Sequence, residues 1–220
     1  MSDIFSLLNV DKKYVINLEH RGDRKQHAIK QLESIGVSDY IIFPGLNTKN
    51  LKIIAQHLDK PGTVGCYLSH QFLIHEAYAN DYRAVLIMED DLQFVPDFAA
   101  KFEEQCKNLP VDWDMLWVGS HVVKKGTQVK GEVFSGRQLW GFQCYILSRT
   151  GIQKLYRNLN SREIRNHIDI QVSKMKDLNQ YYFFPSMCNQ AGMGSDNGMW
   201  VQIKPGFINR KLPRGAQRVM

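Results

Sequence analysis

Glu89, Asp90 and Asp91 stand side by side at the end of Ala84-Val85-Leu86-Ile87-Met88, an apolar run of strand length. Adjacent carboxylates repel one another, so the cluster is costly unless a cation or a hydrogen-bond network offsets it. Hard oxygen ligands of this kind select Mn²⁺ or Mg²⁺. An ion held there can bind a diphosphate and neutralise charge on a leaving group. A single acid would read as a polar cap where a strand meets water; three in succession read as a metal or substrate site. Asp91 stands furthest from the strand and is the candidate direct metal ligand. Glu89 is the second candidate ligand, and Glu89 or Asp90 is placed to bind ribose or a metal-bound water.

Four other constellations could carry chemistry. Asn17-Leu18-Glu19-His20-Arg21-Gly22-Asp23-Arg24 follows a predicted strand and opens a predicted helix. Arg21 and Arg24 would flank a helix N-terminus, a natural anion site, and guanidinium matches phosphate oxygens bidentately. Equally, they could pair with Glu19 and Asp23. Ser69 and His70 fall inside a strongly apolar helix, either as a satisfied core pair or as ligand contacts. They are not a nucleophile–base pair, because neighbouring side chains on a helix diverge by about 100°. Asp169, in Asn166-His167-Ile168-Asp169, is a first-turn acid or a general base. The polar, glycine-rich stretch 185–197 reads as a long loop and contains Asp196.

These groups need a scaffold. Tyr14-Val15-Ile16-Asn17-Leu18 reads as a first strand, 23–35 as a helix stopped by Gly36, and Tyr40-Ile41-Ile42-Phe43 as a second strand. Residues 48–58 read as helical. Pro61-Gly62 breaks the chain, and Thr63 caps a helix running to Asn80. The strand ending in the acids is apolar throughout, as expected of a strand buried on both faces. Acids at its carboxyl end would project from the sheet edge where α/β proteins place ligands.

Further along, Phe98, Phe102, Cys106 and Leu109 repeat at helical spacing. Residues 113–118 and 143–147 read as strands, 152–159 and 168–175 as helices, and 181–184 as a late strand. The glycine-punctuated stretch 121–138 is expected to be a mobile loop. Strands alternating with helices predict an α/β fold: a mixed, mostly parallel sheet with helices on both faces. Residues 1–203 read as one domain, its first half binding nucleotide and its second half forming the acceptor side.

Composition excludes several classes. At 220 residues and 44% hydrophobic, the chain is long enough for one large globular domain. It lacks an apolar run of transmembrane length and an N-terminal signal pattern, so a cytoplasmic location is expected. Cys66, Cys106, Cys144 and Cys188 are irregularly spaced, which argues for free thiols rather than a zinc or disulfide framework. The net charge is +6, yet residues 204–220 hold Lys204, Arg210, Lys211, Arg214 and Arg218 without an acid. This tail is either a solvated terminus or a peripheral contact with an anionic membrane. No aromatic-interleaved basic stripe points to nucleic acid. No Walker loop or Gly-x-Gly-x-x-Gly fingerprint occurs.

Taken in order, Val15-Ile16-Asn17-Leu18 with Arg21 and Arg24, Gly62-x-x-Gly65-Cys66-x-x-Ser69-His70, and Leu86-Ile87-Met88-Glu89-Asp90-Asp91 resemble glycosyltransferase family 25. That family includes lipooligosaccharide and collagen galactosyltransferases. Trp113 to Gly119, Gly141, Ser148 to Gly151, Ile168-Asp169 and the loop from Pro185 to Ser195 match in the same order. The resemblance covers residues 13–197 and leaves the basic tail outside. It departs at His167, where the family often has a proline-flanked segment.

The resemblance implies a GT-A-like fold and inverting transfer of a hexose, galactose or glucose, from a UDP-sugar. The acceptor would be a hydroxyl on a glycan, lipid-linked sugar or glycoprotein. It places Asn17, Leu18, Arg21, Arg24, Ser69, His70, Glu89, Asp90 and Gly141 around the donor and Asp91 with Glu89 on Mn²⁺ or Mg²⁺. Asp169 is the first candidate base and Asp196 the second. Two rivals remain. A nucleotidyltransferase would release pyrophosphate rather than UDP. The other is a module that binds nucleotide sugar or glycan without catalysis; the acid triplet argues against it, since a pure glycan binder has no need of three adjacent carboxylates.

Overall fold

The computed structural model describes residues 3–48, 61–161, 164 and 166–194. The first half alternates as expected: β1 (Lys12–Asn17), α1 (Gly22–Ser34), β2 (Ile41–Pro44), α2 (Pro61–Ala79) and β3 (Ala84–Glu89). Then come β4 (Leu92–Phe94), α3 (Phe98–Cys106), β5 (Met115–Val122), β6 (Thr127–Lys130) and β7 (Val133–Ser135). β8 (Leu139–Ser148), α4 (Arg149–Ser161), α5 (Ile168–Ser173), β9 (Gln180–Phe183) and β10 (Cys188–Gln190) complete the described chain.

Eight strands form one mixed sheet in the order β2-β1-β3-β8-β5-β9-β7-β6. β1 pairs parallel with β2 and β3, and β5 with β9. β8 lies between β3 and β5 and is antiparallel to both. β3 and β5 therefore run the same way, and their carboxyl ends share one edge of the sheet.

Both faces are covered, which explains the uninterrupted apolar strands. Val85 and Ile87 of β3 point to a core shared with Leu73 and Ile74 of α2, Leu155 of α4 and Val172 of α5. Leu86 and Met88 point to the opposite core, with Ala28 and Leu32 of α1 and Phe98 and Phe102 of α3. The two cores follow the two-residue alternation of the strand.

Four expectations are corrected. Pro61 and Gly62 do not break the chain before α2: the helix begins at Pro61. Proline suits a first helical position because its missing N–H would be unpaired there anyway. The stretch 121–138 is not a structureless loop. It carries the end of β5 and the β6–β7 hairpin, whose polar residues belong to an edge rather than to a disordered segment. The loop after Pro185 contains β10, which pairs antiparallel with β4 in a separate two-stranded sheet. β8 is ten residues long, twice the length expected from its apolar centre. The helix expected over 48–58, Asp196 and the basic tail lie outside the described residues. No described helix is long and apolar enough to cross a membrane.

Candidate donor-binding site

Strand alternation sends Glu89 and Asp90 to opposite sides, and the turn that follows carries Asp91 to the side of Asp90. Glu89, the last residue of β3, faces α2, while Asp90 and Asp91 form the turn into β4 and face α1. Asp90 is 4% exposed and held from two sides. Asn17 Nδ2 donates to its Oδ2 at 2.7 Å, and Arg24 Nη1 donates to its Oδ1 at 2.9 Å. Burial nevertheless keeps Asp90 above the usual carboxylate range, against the opposing pull of Arg24 and Asn17.

Asp91 is the stressed member of the group. Its Oδ2 lies 3.4 Å from Arg24 Nη2, but its Oδ1 is buried and has no hydrogen-bond donor among the described residues. Burial, followed by the Glu89 charge, pushes its carboxyl up to about 7. A carboxylate oxygen out of water with no donor is a costly arrangement that a bound cation would relieve. The donor set therefore fits a hard divalent ion at Asp91.

Arg21 and Arg24 take different roles from those expected of paired phosphate ligands. Arg24 is buried and committed to Asp90 and Asp91. Arg21 Nη2 donates to Asp23 Oδ2 at 2.9 Å and to the Met193 carbonyl at 3.0 Å. Arg24 Nη2 also donates to the Gly194 carbonyl. Together with the Ala191 N–H, which donates to the Asp91 carbonyl at 2.6 Å, these contacts draw residues 191–194 across the acids. The pairing of β4 with β10 brings that segment within reach.

On the other side, α2 presents Cys66 and His70 four residues apart, hence on one helix face. The Cys66 thiol donates to Glu89 Oε1 at 3.7 Å, and His70 Nε2 lies 3.3 Å from the same oxygen. His70 Nδ1 lies 3.0 Å from the Tyr145 hydroxyl. Burial works against a charged Glu89, but the His70 hydrogen bond and charge, with Arg24, outweigh it and hold the carboxyl below its usual value. Burial, then the Glu89 charge, pushes the Cys66 thiol well up, so it is a neutral donor.

Among the described residues, Cys66, His70 and Glu89 offer metal-ligating atoms that all lie within 4.8 Å of one another. The two expected metal ligands thus belong to different clusters: Glu89 to the α2 group, Asp91 to the α1 group.

Ser69 is a structural contact. Its Oγ donates to the Gly65 carbonyl at 2.7 Å and accepts from Leu46 N–H at 2.8 Å, fastening the segment after β2 to α2. Gly65 permits that approach, since an added Cβ would lie 2.1 Å from the Leu46 carbonyl oxygen. Leu18 contributes its backbone carbonyl, which accepts from Arg21 N–H at 2.8 Å.

In the second half, Gly141 and Asp169 meet directly. Gly141 adopts φ +85°, where a side chain would be strained, and its N–H donates to Asp169 Oδ2 at 2.6 Å. Asp169 Oδ1 accepts from Ile170 N–H at 2.8 Å. Both oxygens are oriented by backbone, and a carboxylate with about four acceptor positions still has lone pairs to spare. The Asp169 charge also contributes, after burial and the Glu89 charge, to the upward push on Cys66.

The sequence reading gave no individual role to Cys66 or Tyr145. The i, i+4 spacing of Cys66 and His70 was the available signal. Tyr145 had none, because its contact depends on β8 lying beside β3.

Residues 10–172 match the profile described as glycosyltransferase family 25 (LPS biosynthesis protein), and the chain belongs to that family. Two human relatives illustrate its range. Inactive glycosyltransferase 25 family member 3 is 25% identical over 189 residues, covering 75% of this chain and 31% of the relative. Procollagen galactosyltransferase 2 is 25% identical over 177 residues, covering 67% of this chain and 28% of the relative. The chain therefore spans under a third of these relatives.

Among solved structures, a glycosyltransferase involved in glycosylation of the major capsid of PBCV-1 superposes with a TM-score of 0.48. It is 6% identical, over 84% of this chain and 93% of that one. A likeness this loose carries no argument.

Proposed function

We propose that this chain transfers a hexose, with inversion, from a UDP-sugar to a hydroxyl of a glycan or glycoconjugate, using Mn²⁺ or Mg²⁺. The observation that carries the reading is Asp91 Oδ1, a buried carboxylate oxygen with no donor among the described residues, in a group of acids at the carboxyl end of β3. An ion bound there supplies positive charge to the departing diphosphate. Asn17 and Arg24 hold Asp90 in one orientation, and Arg24 keeps the acids from repelling one another apart. Arg21 and the 191–194 segment lie across the acids on the donor side.

Asp169 is the candidate to accept the proton from the acceptor hydroxyl; Asp196 is second and lies outside the described residues. Positioned base catalysis typically contributes about 10²–10⁴-fold.

A second reading, a module that binds without catalysis, is favoured by the relatives whose own names call them inactive. A donor screen separates the two. Purified protein is given a panel of nucleotide sugars, with Mn²⁺ present or chelated, and UDP release is followed. Mn²⁺-dependent release from one UDP-hexose supports transfer. Binding of UDP without release from any donor supports the second reading. Release of pyrophosphate from UTP and a sugar phosphate would instead point to a nucleotidyltransferase.

A further inference from the structure

Beyond the acid group, the same sheet edge carries a second charged feature of opposite sign. Lys124, Lys125, Arg137, Lys174 and Lys176 line a cleft of about 510 Å³ with no carboxylate in its wall among the described residues. Among the described residues, none of the five forms an ion pair. Five like charges converging on a concave surface repel one another, so the arrangement is unfavourable unless an anion joins it.

Lysines after a helix complement its carbonyl end, which accounts for Lys174 and Lys176 beside α5. It does not account for Lys124 and Lys125, which follow β5, or for Arg137, which precedes β8.

The walls are fixed rather than loose. The Lys125 ammonium sits 4.4 Å from the Phe134 ring centre and 4.5 Å from that of Phe184. Gly126 N–H donates to the Tyr182 hydroxyl at 2.7 Å, and Val123 N–H donates to the Gln138 carbonyl at 3.1 Å. An added Cβ at Gly126 would lie 2.0 Å from the Ser135 carbonyl oxygen, so the backbone is closely packed there.

The cleft also has a defined place relative to the candidate base. Asp169 is the second residue of α5 and Lys174 follows its last; that separation along the helix is about 7.5 Å. Along the edge, β5 is two strands from β3, a separation of about 10 Å.

We propose that this cleft binds a phosphate or carboxylate group on the acceptor, so that the acceptor is an anionic glycan gripped roughly 10 Å from the reacting hydroxyl. Calling the ligand an acceptor rests on the transferase reading above; the binding itself does not.

The test is binding of four probes to the full chain, without donor. They are a hexose 6-phosphate, trigalacturonic acid, neutral maltotriose and phosphatidylglycerol vesicles. Affinity is followed by calorimetry and location by chemical-shift changes. The expected result is binding of the phosphorylated sugar or the uronide at the cleft, with maltotriose inert. Which of the two binds identifies the anionic group. Lys174→Glu/Lys176→Glu, and separately Lys124→Glu, should each weaken that binding by about tenfold or more with unchanged melting profiles. The two variants lie on separate exposed segments, so one remains informative should the other misfold.

Equal binding of maltotriose would overturn the proposal, as would wild-type affinity in the charge-reversed variants. Capture by the vesicles with neither anionic sugar binding would likewise overturn it in favour of a membrane surface. Because no donor is present, anionic-sugar binding in a protein that never releases UDP would refute the transferase reading and leave the cleft standing.

Discussion

At the end of β3 the charges are buried and paired, whereas two strands away, at the end of β5, they are exposed and form no ion pair among the described residues. Asp90 and Asp91 are 4% and 8% exposed and share Arg24; Lys124, Arg137, Lys174 and Lys176 are all exposed. The difference separates two ways of handling an anion. Buried, mutually bonded groups fix one geometry, as a shared donor with a stereotyped diphosphate requires. Exposed cations on a concave wall attract charge over a distance, which suits the anionic group of a solvent-facing glycan.

The contrast breaks most sharply at Arg24. Arg24→Ala leaves two buried carboxylates without their cation, and removing one partner of a buried pair typically costs about 3–5 kcal/mol. Urea denaturation should show a loss of that size. A loss under about 1 kcal/mol would mean that water reaches the acids and that the site is not preorganised.

Asp169→Asn comes next. It keeps the side chain's shape and removes the proton acceptor, though its single amide oxygen can keep only one of the two backbone bonds, to Gly141 or to Ile170; turnover should fall by about 10²-fold or more while UDP binding holds. Normal turnover would move the base elsewhere.

Salt sharpens the comparison further. Going from about 0.1 M to 1 M shortens the screening length from about 10 Å to 3 Å. Anionic-sugar binding at the cleft should weaken markedly over that range, and the urea stability conferred by Arg24 should change little. Equal sensitivity of the two would remove the distinction.

The smallest effect concerns the thiols. Burial pushes Cys106 up to about 12, from an ordinary value of 9.0. The folded protein thus holds a proton that the unfolded chain gives up, and this group lowers stability as pH rises from about 9 towards 12. At pH 8, iodoacetamide should label Cys106 much more slowly in native protein than in urea. Equal rates would show that the thiol is not shielded.

Much of the site was legible in residue order. Ala84 to Met88 announced a strand buried on both faces, and its alternation decides which acid faces which helix. Arg24 was recognised as belonging to the site, but its partner was not. Asp90 is 66 positions away, and that pairing follows from β1 and β3 being neighbours in the sheet. β4 and β10 are three residues each, too short for periodicity to register. The β6–β7 hairpin was hidden because β6 is exposed at every position, so its polarity resembled that of a loop.

The central claim is that Asp91 and its neighbours hold a divalent ion for the diphosphate of a sugar nucleotide. Calorimetry of UDP binding, with Mn²⁺ present or chelated, in wild type and Asp91→Ala, tests it most directly. The account predicts binding that requires Mn²⁺ in the wild type and falls by about 10²–10³-fold in the variant. UDP binding that is unchanged by chelation, or retained in full by Asp91→Ala, would contradict it.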